Sequence, residues 1–176
     1  MAILPIRRFP DAFLKTPSHP VEHLSPSVRR LIAELIETMR DHPRCVGLAA
    51  PQVGSHLAVA VVDVTGHPKA TGGHGLIVLM NPQILIREGA VIQREGCLSI
   101  PDLTGNVPRA ERVQVRALDA SGFPRTRWYD GFEAIVIQHE ADHLAGTLFL
   151  DRLVNPKTDV FRRKSYGTPG ERSSRA

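Results

Sequence analysis

Cysteine is scarce in this sequence: Cys45 and Cys97 are the only two among 176 residues. Two thiols cannot build the disulfide framework of a small secreted scaffold, and in a reducing compartment a lone cysteine is buried, metal-bound or catalytic rather than bridged. Long apolar runs are missing too. None approaches the roughly 20 residues needed to span a bilayer, so no membrane partner is expected. The N-terminal stretch MAILPIRRFPDAFLK lacks the apolar segment and small-residue cleavage site of a secretory signal, and the expectation is a cytoplasmic location. With 42% hydrophobic and 23% charged residues, the composition is neither disordered, collagen-like nor coiled-coil. The length suits one domain with an apolar core and is short for two.

An excess of charge is absent from the body and present only at the end. Residues 157–176 carry Lys157, Arg162, Arg163, Lys164, Arg172 and Arg175 against Asp159 and Glu171, an excess equal to the whole formal charge of +4. The expected organisation is therefore one formally neutral domain over residues 1–156 and a basic, flexible tail over 157–176. Only the tail would be drawn to nucleic acid or another acidic surface, and a frayed, solvated terminus has the same composition. No sequence-specific nucleic-acid binding is expected.

Residues 1–24 are Pro-rich and irregular. Ser25-Pro26 then has the form of an N-cap followed by proline at the first helical position, and Val28, Leu31, Ile32, Leu35, Ile36 and Met39 recur at helical spacing. This predicts a helix over 26–40, ended by Asp41-His42-Pro43. Runs rich in β-formers at 57–64, 76–80, 84–86 and 90–93 predict strands. Alternation over 113–117, the turn residues 119–122 and the run 125–129 predict a hairpin. A second helix is expected from Asp130, with Asp130 and Glu133 at capping-box spacing, to a C-terminal glycine at Gly146. Helix, strands, helix is the order of an α+β fold, not of a doubly wound sheet.

The second helix contains His139-Glu140-Ala141-Asp142-His143. Histidines four residues apart share one helix face and can present nitrogens to a single ion, with the glutamate between them placed to reach a water on that ion. A buried helix whose histidines bond to neighbours would carry the same spacing. A catalytic centre of this kind needs a third protein ligand and one open position. In one protease pattern that ligand is a histidine where Phe149 stands here; in another it is a later glutamate, and the only one after His143 is Glu171. The third ligand is therefore expected upstream. Cys97, in Glu95-Gly96-Cys97-Leu98-Ser99, follows a strand and offers a thiolate suited to divalent metal, although free cysteine is commonly a small buried hydrophobe. A third segment, residues 47–54 (GLAAPQVG), is a slim loop in which the amide of Gln52 can donate to a developing oxyanion.

Three segments in this order, CVGLAAPQ (45–52), EGCLS (95–99) and QHEADH (138–143), resemble the peptide deformylase family, whose signature is GxGLAAxQ, EGCLS and QHExDH. The likeness extends over about residues 3–155. It implies an α+β domain with mixed or antiparallel sheets around a central metal-binding helix. It further implies a hydrolase that removes the formyl group from the N-terminal methionine of nascent polypeptides, releasing formate. By resemblance, Cys97, His139 and His143 hold one divalent ion, physiologically ferrous iron, in a site that also accepts zinc, nickel or cobalt. Glu140 moves the proton, Gln52 and the Leu98 backbone N–H stabilise the oxyanion, Val46 and Gly47 pair with the substrate backbone, and Val136 lines a methionine pocket. N-formylmethionyl peptides are the implied partners, with transient ribosome contact through the basic tail.

The chain departs from the family at Cys45, which replaces the first glycine of the loop, and at Thr104, where many relatives carry arginine; Arg44 stands at the loop entrance. Gly167, Pro169 and Gly170 break the long C-terminal helix associated with ribosome contact. Asp142 is placed to pair with Arg109, and Trp128 is structural. Two competing readings remain: a metal-free cysteine hydrolase with Cys97 as nucleophile and His139 as base, and a catalytically idle paralogue that binds metal or formyl-peptide without turnover.

Overall fold

Residues 2–163 are described by a computed structural model of the protein. Among them are helices α1 (Pro26–Asp41) and α2 (Gly131–Leu144) and strands β1 (Gly47–Ala49), β2 (Val59–Val62), β3 (Ile77–Glu88), β4 (Val91–Cys97), β5 (Ile100–Arg109), β6 (Arg112–Leu118), β7 (Pro124–Asp130) and β8 (Val160–Arg162). Five strands form one sheet in the order β1-β2-β3-β6-β7 and three form a second in the order β4-β5-β8. Every pairing between these strands is antiparallel, as an α+β fold requires.

Helix α1 begins as expected, with Ser25 Oγ accepting from the Val28 N–H and Pro26 in the first turn. It buries Val28, Ile32, Leu35 and Met39 against the five-stranded sheet. Helix α2 is different: nearly every side is covered, the mark of a helix inside the molecule. Strand β2 lies between the two. Val59 and Val61 pack with α1 in one cluster, while Val62 joins Ala134 and Ile137 of α2 in another, so each face of the strand fills a core. Burying one such aliphatic side chain stabilises the fold by roughly 1.5–3 kcal/mol. A third cluster, with Leu14, Ile100, Val107, Leu148 and Phe149, lies under the small sheet and includes Cys97.

The structure departs from the sequence expectations at several places. The expected strands 76–80 and 84–86 are one strand, β3, with register shifts near Asn81-Pro82. Asn81 has φ +53° and its side chain bonds both backbone groups of Val21, so a bulge absorbs the proline. Strand β5, Ile100–Arg109, is not among the strands the sequence predicts. Its partner β8 pairs only with Leu103–Gly105, and Pro101 and Pro108 lie outside that pairing. The capping box of α2 is not formed. Gly131 has φ +56° and Asp130 makes no cap bond; Asp130 pairs with Arg112 at 2.9 Å, and Glu133 accepts from the His74 N–H at 2.8 Å. Tertiary partners have taken both carboxylates. At the other end Gly146, φ +71°, terminates α2 as expected, with its N–H donating to His143 O and that of Thr147 to Asp142 O.

Within the expected tail, Val160–Arg162 form β8, which pairs Val160 with Gly105 and Arg162 with Leu103 and completes the edge of the small sheet. Residues 164–176, the rest of that tail, lie outside the described residues. No described helix is long and apolar enough to cross a membrane.

Candidate metal centre

The hairpin β4–β5 turns through Leu98 and Ser99, pairing Cys97 with Ile100, and points its end at α2. There one donor atom each from Cys97, His139 and His143 lies within 4.8 Å of the others. Cys97 Sγ is 3.2 Å from His143 Nε2. Ligands of a four-coordinate ion, with sulfur at about 2.3 Å and nitrogen at about 2.0–2.1 Å, stand on this scale.

The surroundings of His139 fix which nitrogen faces the cluster. Its Nδ1 meets Glu95 Oε2 at 2.8 Å, which leaves Nε2 for a ligand role. Glu95 lies two residues before Cys97 and so on the same face of β4. It is gripped by Arg109, whose Nε and Nη2 donate to the two carboxylate oxygens at 2.7 and 3.0 Å. Arg109 Nη1 donates to Asp142 at 2.6 Å, the pairing the sequence suggested, and Arg152 closes the chain on the same carboxylate. Gln138 ties α2 to this network by exchanging hydrogen bonds with both backbone groups of Ala110.

Electrostatics favour a cation at the cluster. Burial opposes ionisation of Cys97, yet the flanking His143 and His139 hold its thiol well below the ordinary value of 9.0. Burial likewise disfavours a charged His139, but Cys97 and Glu95 hold its pKa well above 6.5. Burial raises Glu95, and His139 and Arg109 outweigh it, bringing its carboxyl down to about 2. A thiolate and a carboxylate thus converge on one imidazole, and the positive charge they call for is one that a divalent ion supplies. Among the described residues Glu140 Oε2 is buried without a hydrogen-bond partner, a cost that favours a further occupant. The donor set fits a transition-metal dication.

Glu140 belongs to the same helix turn. Burial pushes its carboxyl up to about 7, against the opposing pull of His139 and His143, the range useful to a proton carrier at neutral pH. Its Oε1 lies against Gly47: a Cβ there would overlap Glu140 Oε1 and Val136 Cγ1. The glycine therefore lets α2 approach β1 closely. Gln52 is buried, with its orientation set by the Ala49 N–H donating to Oε1 at 3.0 Å; Nε2 then donates to Cys97 Sγ at 3.3 Å and Ser99 Oγ at 3.2 Å. The irregular N-terminal segment straps both loops, with Arg7 N–H donating to Gln52 O and Phe9 N–H to Ser99 O.

These residues open on a cleft of about 400 Å³ lined by Val46, Gly47, Gln52, Leu98, Val136 and Glu140, among others. Every residue singled out for catalysis or substrate contact thus lies on one cavity, and Cys97 and His139 of the ligand trio line it too. Sequence reasoning assigned no role to Glu95 or Ser99; strand alternation from Cys97 marks the first. Cys45 also lines the cleft, and its Sγ donates to Gly47 O at 3.2 Å. Burial, with Glu140 adding to it, pushes this thiol up to about 12, so it is no second thiolate. Another cavity of about 340 Å³, beside α1, is floored by aliphatic side chains such as Ile32, Ile36 and Val78 and holds no comparable ligand set.

The sequence model of the polypeptide deformylase family matches residues 3–159. A peptide deformylase of Alkalilimnicola ehrlichii is 44% identical over 164 residues, which is 93% of this chain and 89% of the relative. The crystal structure of a peptide deformylase from Legionella pneumophila superimposes with a TM-score of 0.78 at 42% identity, covering 86% of each chain. A Met-Ala-Ser-bound class I type b peptide deformylase from Acinetobacter baumannii gives 0.81 at 35% identity, covering 86% of this chain and 99% of that one. The site geometry, the family match and the identities agree: this chain belongs to the peptide deformylase family.

Proposed function

We propose that the protein is a metal-dependent hydrolase that removes the formyl group from the N-terminal methionine of nascent polypeptides. Cys97, His139 and His143 hold one divalent ion, ferrous iron physiologically, with zinc, nickel or cobalt also accepted. The observation that carries the reading is the convergence of these three donors beside the unpartnered, buried carboxylate oxygen of Glu140. The ion, when bound, lowers the pKa of water and polarises the formyl carbonyl.

Glu140 takes the proton of the attacking water as the new C–O bond forms, and delivers it to the methionine nitrogen as the C–N bond breaks. The products are formate and a free amine. The carboxyl value of about 7 suits both halves of that transfer. Gln52 and the Leu98 N–H stabilise the oxyanion, a role in which a single donor is worth about 3 kcal/mol. Since both amide protons of Gln52 are engaged by Cys97 and Ser99, the oxyanion exchanges with one of those acceptors. Val46, whose carbonyl accepts from the Asp63 N–H, and Gly47 of the edge strand β1 offer their remaining backbone groups to the peptide, and Val136 bounds the pocket for the methionine side chain. The tripeptide held by the Acinetobacter baumannii relative is what remains when formate leaves formyl-Met-Ala-Ser. The same reading puts the protein in the cytoplasm and gives its basic tail a transient contact with the ribosome.

The test is formate release from formyl-Met-Ala-Ser by protein purified anaerobically. Release that is lost with chelator and in Glu140→Ala is expected. Release that survives chelation would overturn the metal-dependent reading in favour of a cysteine hydrolase. Metal-loaded protein that binds the peptide and releases no formate would leave it an idle paralogue.

A further inference from the structure

Four cations stand at the mouth of the cleft. Arg44 precedes β1 on one wall; Arg94 of β4 and Arg163, just past β8, stand on the other, and Lys69 lies beside Phe132. All four are exposed, and among the described residues none forms an ion pair. The acidic groups lining the cavity are Glu95 and Glu140, both buried in the floor, and Arg109 already balances the first. The potential at the mouth is therefore positive, and low-dielectric walls focus it.

Two of these cations are held in place. The Arg94 guanidinium lies 3.4 Å from the centre of the Phe161 ring, its Nε donates to Asn106 Oδ1 at 2.8 Å, and Nη1 reaches Thr104 Oγ1 at 3.4 Å. Arg163 is anchored by its backbone N–H donating to Asp102 O at 2.8 Å, and its guanidinium lies on Gly96, where a Cβ would collide with it. Both placements depend on β8, the edge strand formed by the chain after residue 159. Such fixing removes part of the ordering cost an arginine normally incurs on meeting a carboxylate.

We propose that Arg44, Arg94 and Arg163 form a specificity-determining rim that favours formyl-methionyl peptides with an acidic side chain at the second or third residue. The proposal rests on the deformylase reading. A peptide whose formyl end sits at Cys97 and Glu140 must run out past this rim, where a carboxylate meets unpaired guanidinium groups and a lysine meets like charge. Because the rim touches residues remote from the reacting carbon, selection acts on KM and on kcat/KM more than on kcat.

The experiment compares formyl-Met-Ala-Glu and formyl-Met-Ala-Lys, both C-terminally amidated, with formyl-Met-Ala-Ser as reference. At low ionic strength kcat/KM is expected to favour the glutamate peptide about tenfold, shrinking to within about threefold at 0.5 M salt as screening shortens the interaction range. The double variant Arg44→Glu/Arg163→Glu, changed only at exposed side chains outside any ion pair, is expected to abolish or reverse the preference. A ratio within about twofold at low salt, or one insensitive to salt and to the charge swap, would overturn the proposal. So would a flat ratio accompanied by competitive inhibition from a short RNA oligonucleotide, which would make the rim a polyanion surface. Absence of formate from the reference peptide would instead sink the deformylase reading. In that event, equilibrium binding of Met-Ala-Glu and Met-Ala-Lys amides still decides whether the rim selects charge.

Discussion

The floor and the mouth of one cleft handle charge in opposite ways. From Glu95 and His139 on the floor, a continuous chain of charged contacts runs back through buried Arg109 and Asp142 to half-exposed Arg152. At the mouth, Arg44, Lys69, Arg94 and Arg163 face solvent, and among the described residues none of them pairs with a carboxylate. Paired charges in a dry setting hold geometry, because any displacement leaves a desolvated ion uncompensated. Unpaired charges in water impose little geometry but act at a distance. Chemistry therefore belongs to the floor and selection to the rim, and substitutions on the two should differ in kind as well as size.

The largest effect is expected at the floor's proton carrier. Glu140→Gln keeps the shape and removes the base; it should lower kcat by about 10²–10⁴-fold while metal content, measured by elemental analysis, stays near one ion per chain. Loss of metal with loss of activity would mean that Glu140 supports the site rather than moves the proton. Next comes Arg109→Met, which leaves Glu95 and Asp142 buried without their shared cation. We expect about 3–5 kcal/mol of destabilisation in urea unfolding and a 10–100-fold weaker metal affinity through the misdirected His139. Equal metal affinity in the variant would break the claim that this chain of ion pairs orients the ligand.

Gly47→Ala tests the contact between β1 and α2. The added methyl overlaps Glu140 and Val136, so the helix must shift or the strand must bow. Overpacking of this kind costs about 1–3 kcal/mol, and kcat should fall more than KM rises, since the displaced group is the proton carrier. The slim character of residues 47–54 was legible in the sequence; that Gly47, besides lining the cleft, admits Glu140 and Val136 of the helix behind it was not.

The same boundary between legible and illegible runs through the whole molecule. Spacing on one helix brought out His139, Glu140 and His143, because i, i+4 geometry is local. The amphipathic α1 and the β6–β7 hairpin were legible for the same reason. Glu95 lies inside the EGCLS motif, but its role depends on Arg109, which arrives from β5. That strand is not among those the sequence predicts; it carries Pro101 and Pro108, which lie outside the short stretch paired with β8. Asp130 and Glu133 matched a capping box, and partners distant in sequence, Arg112 and His74, claimed them. What sequence reasoning missed was in each case an interaction settled by a long-range contact.

The smallest effect is expected at Cys45, and it sharpens the contrast with Cys97. The two thiols line one cleft, but Cys97 is drawn down by two histidines and Cys45 is pushed up to about 12 by burial and the Glu140 charge. Cys45 is therefore a neutral donor to Gly47 O, a task a serine hydroxyl also performs. Cys45→Ser should keep kcat/KM within about threefold, whereas Cys97→Ser should lose the metal. The linkage has a definite sign. A thiol raised above its ordinary value of 9.0 contributes stability that is complete below pH 9 and is lost as pH climbs toward 12, because only the unfolded chain ionises in that window. Between pH 9 and about 10.5, wild type should lose roughly 1–2 kcal/mol more unfolding free energy than Cys45→Ser. Parallel stability curves for the two proteins would show that Cys45 ionises freely in the fold, and the difference drawn between the two thiols would collapse.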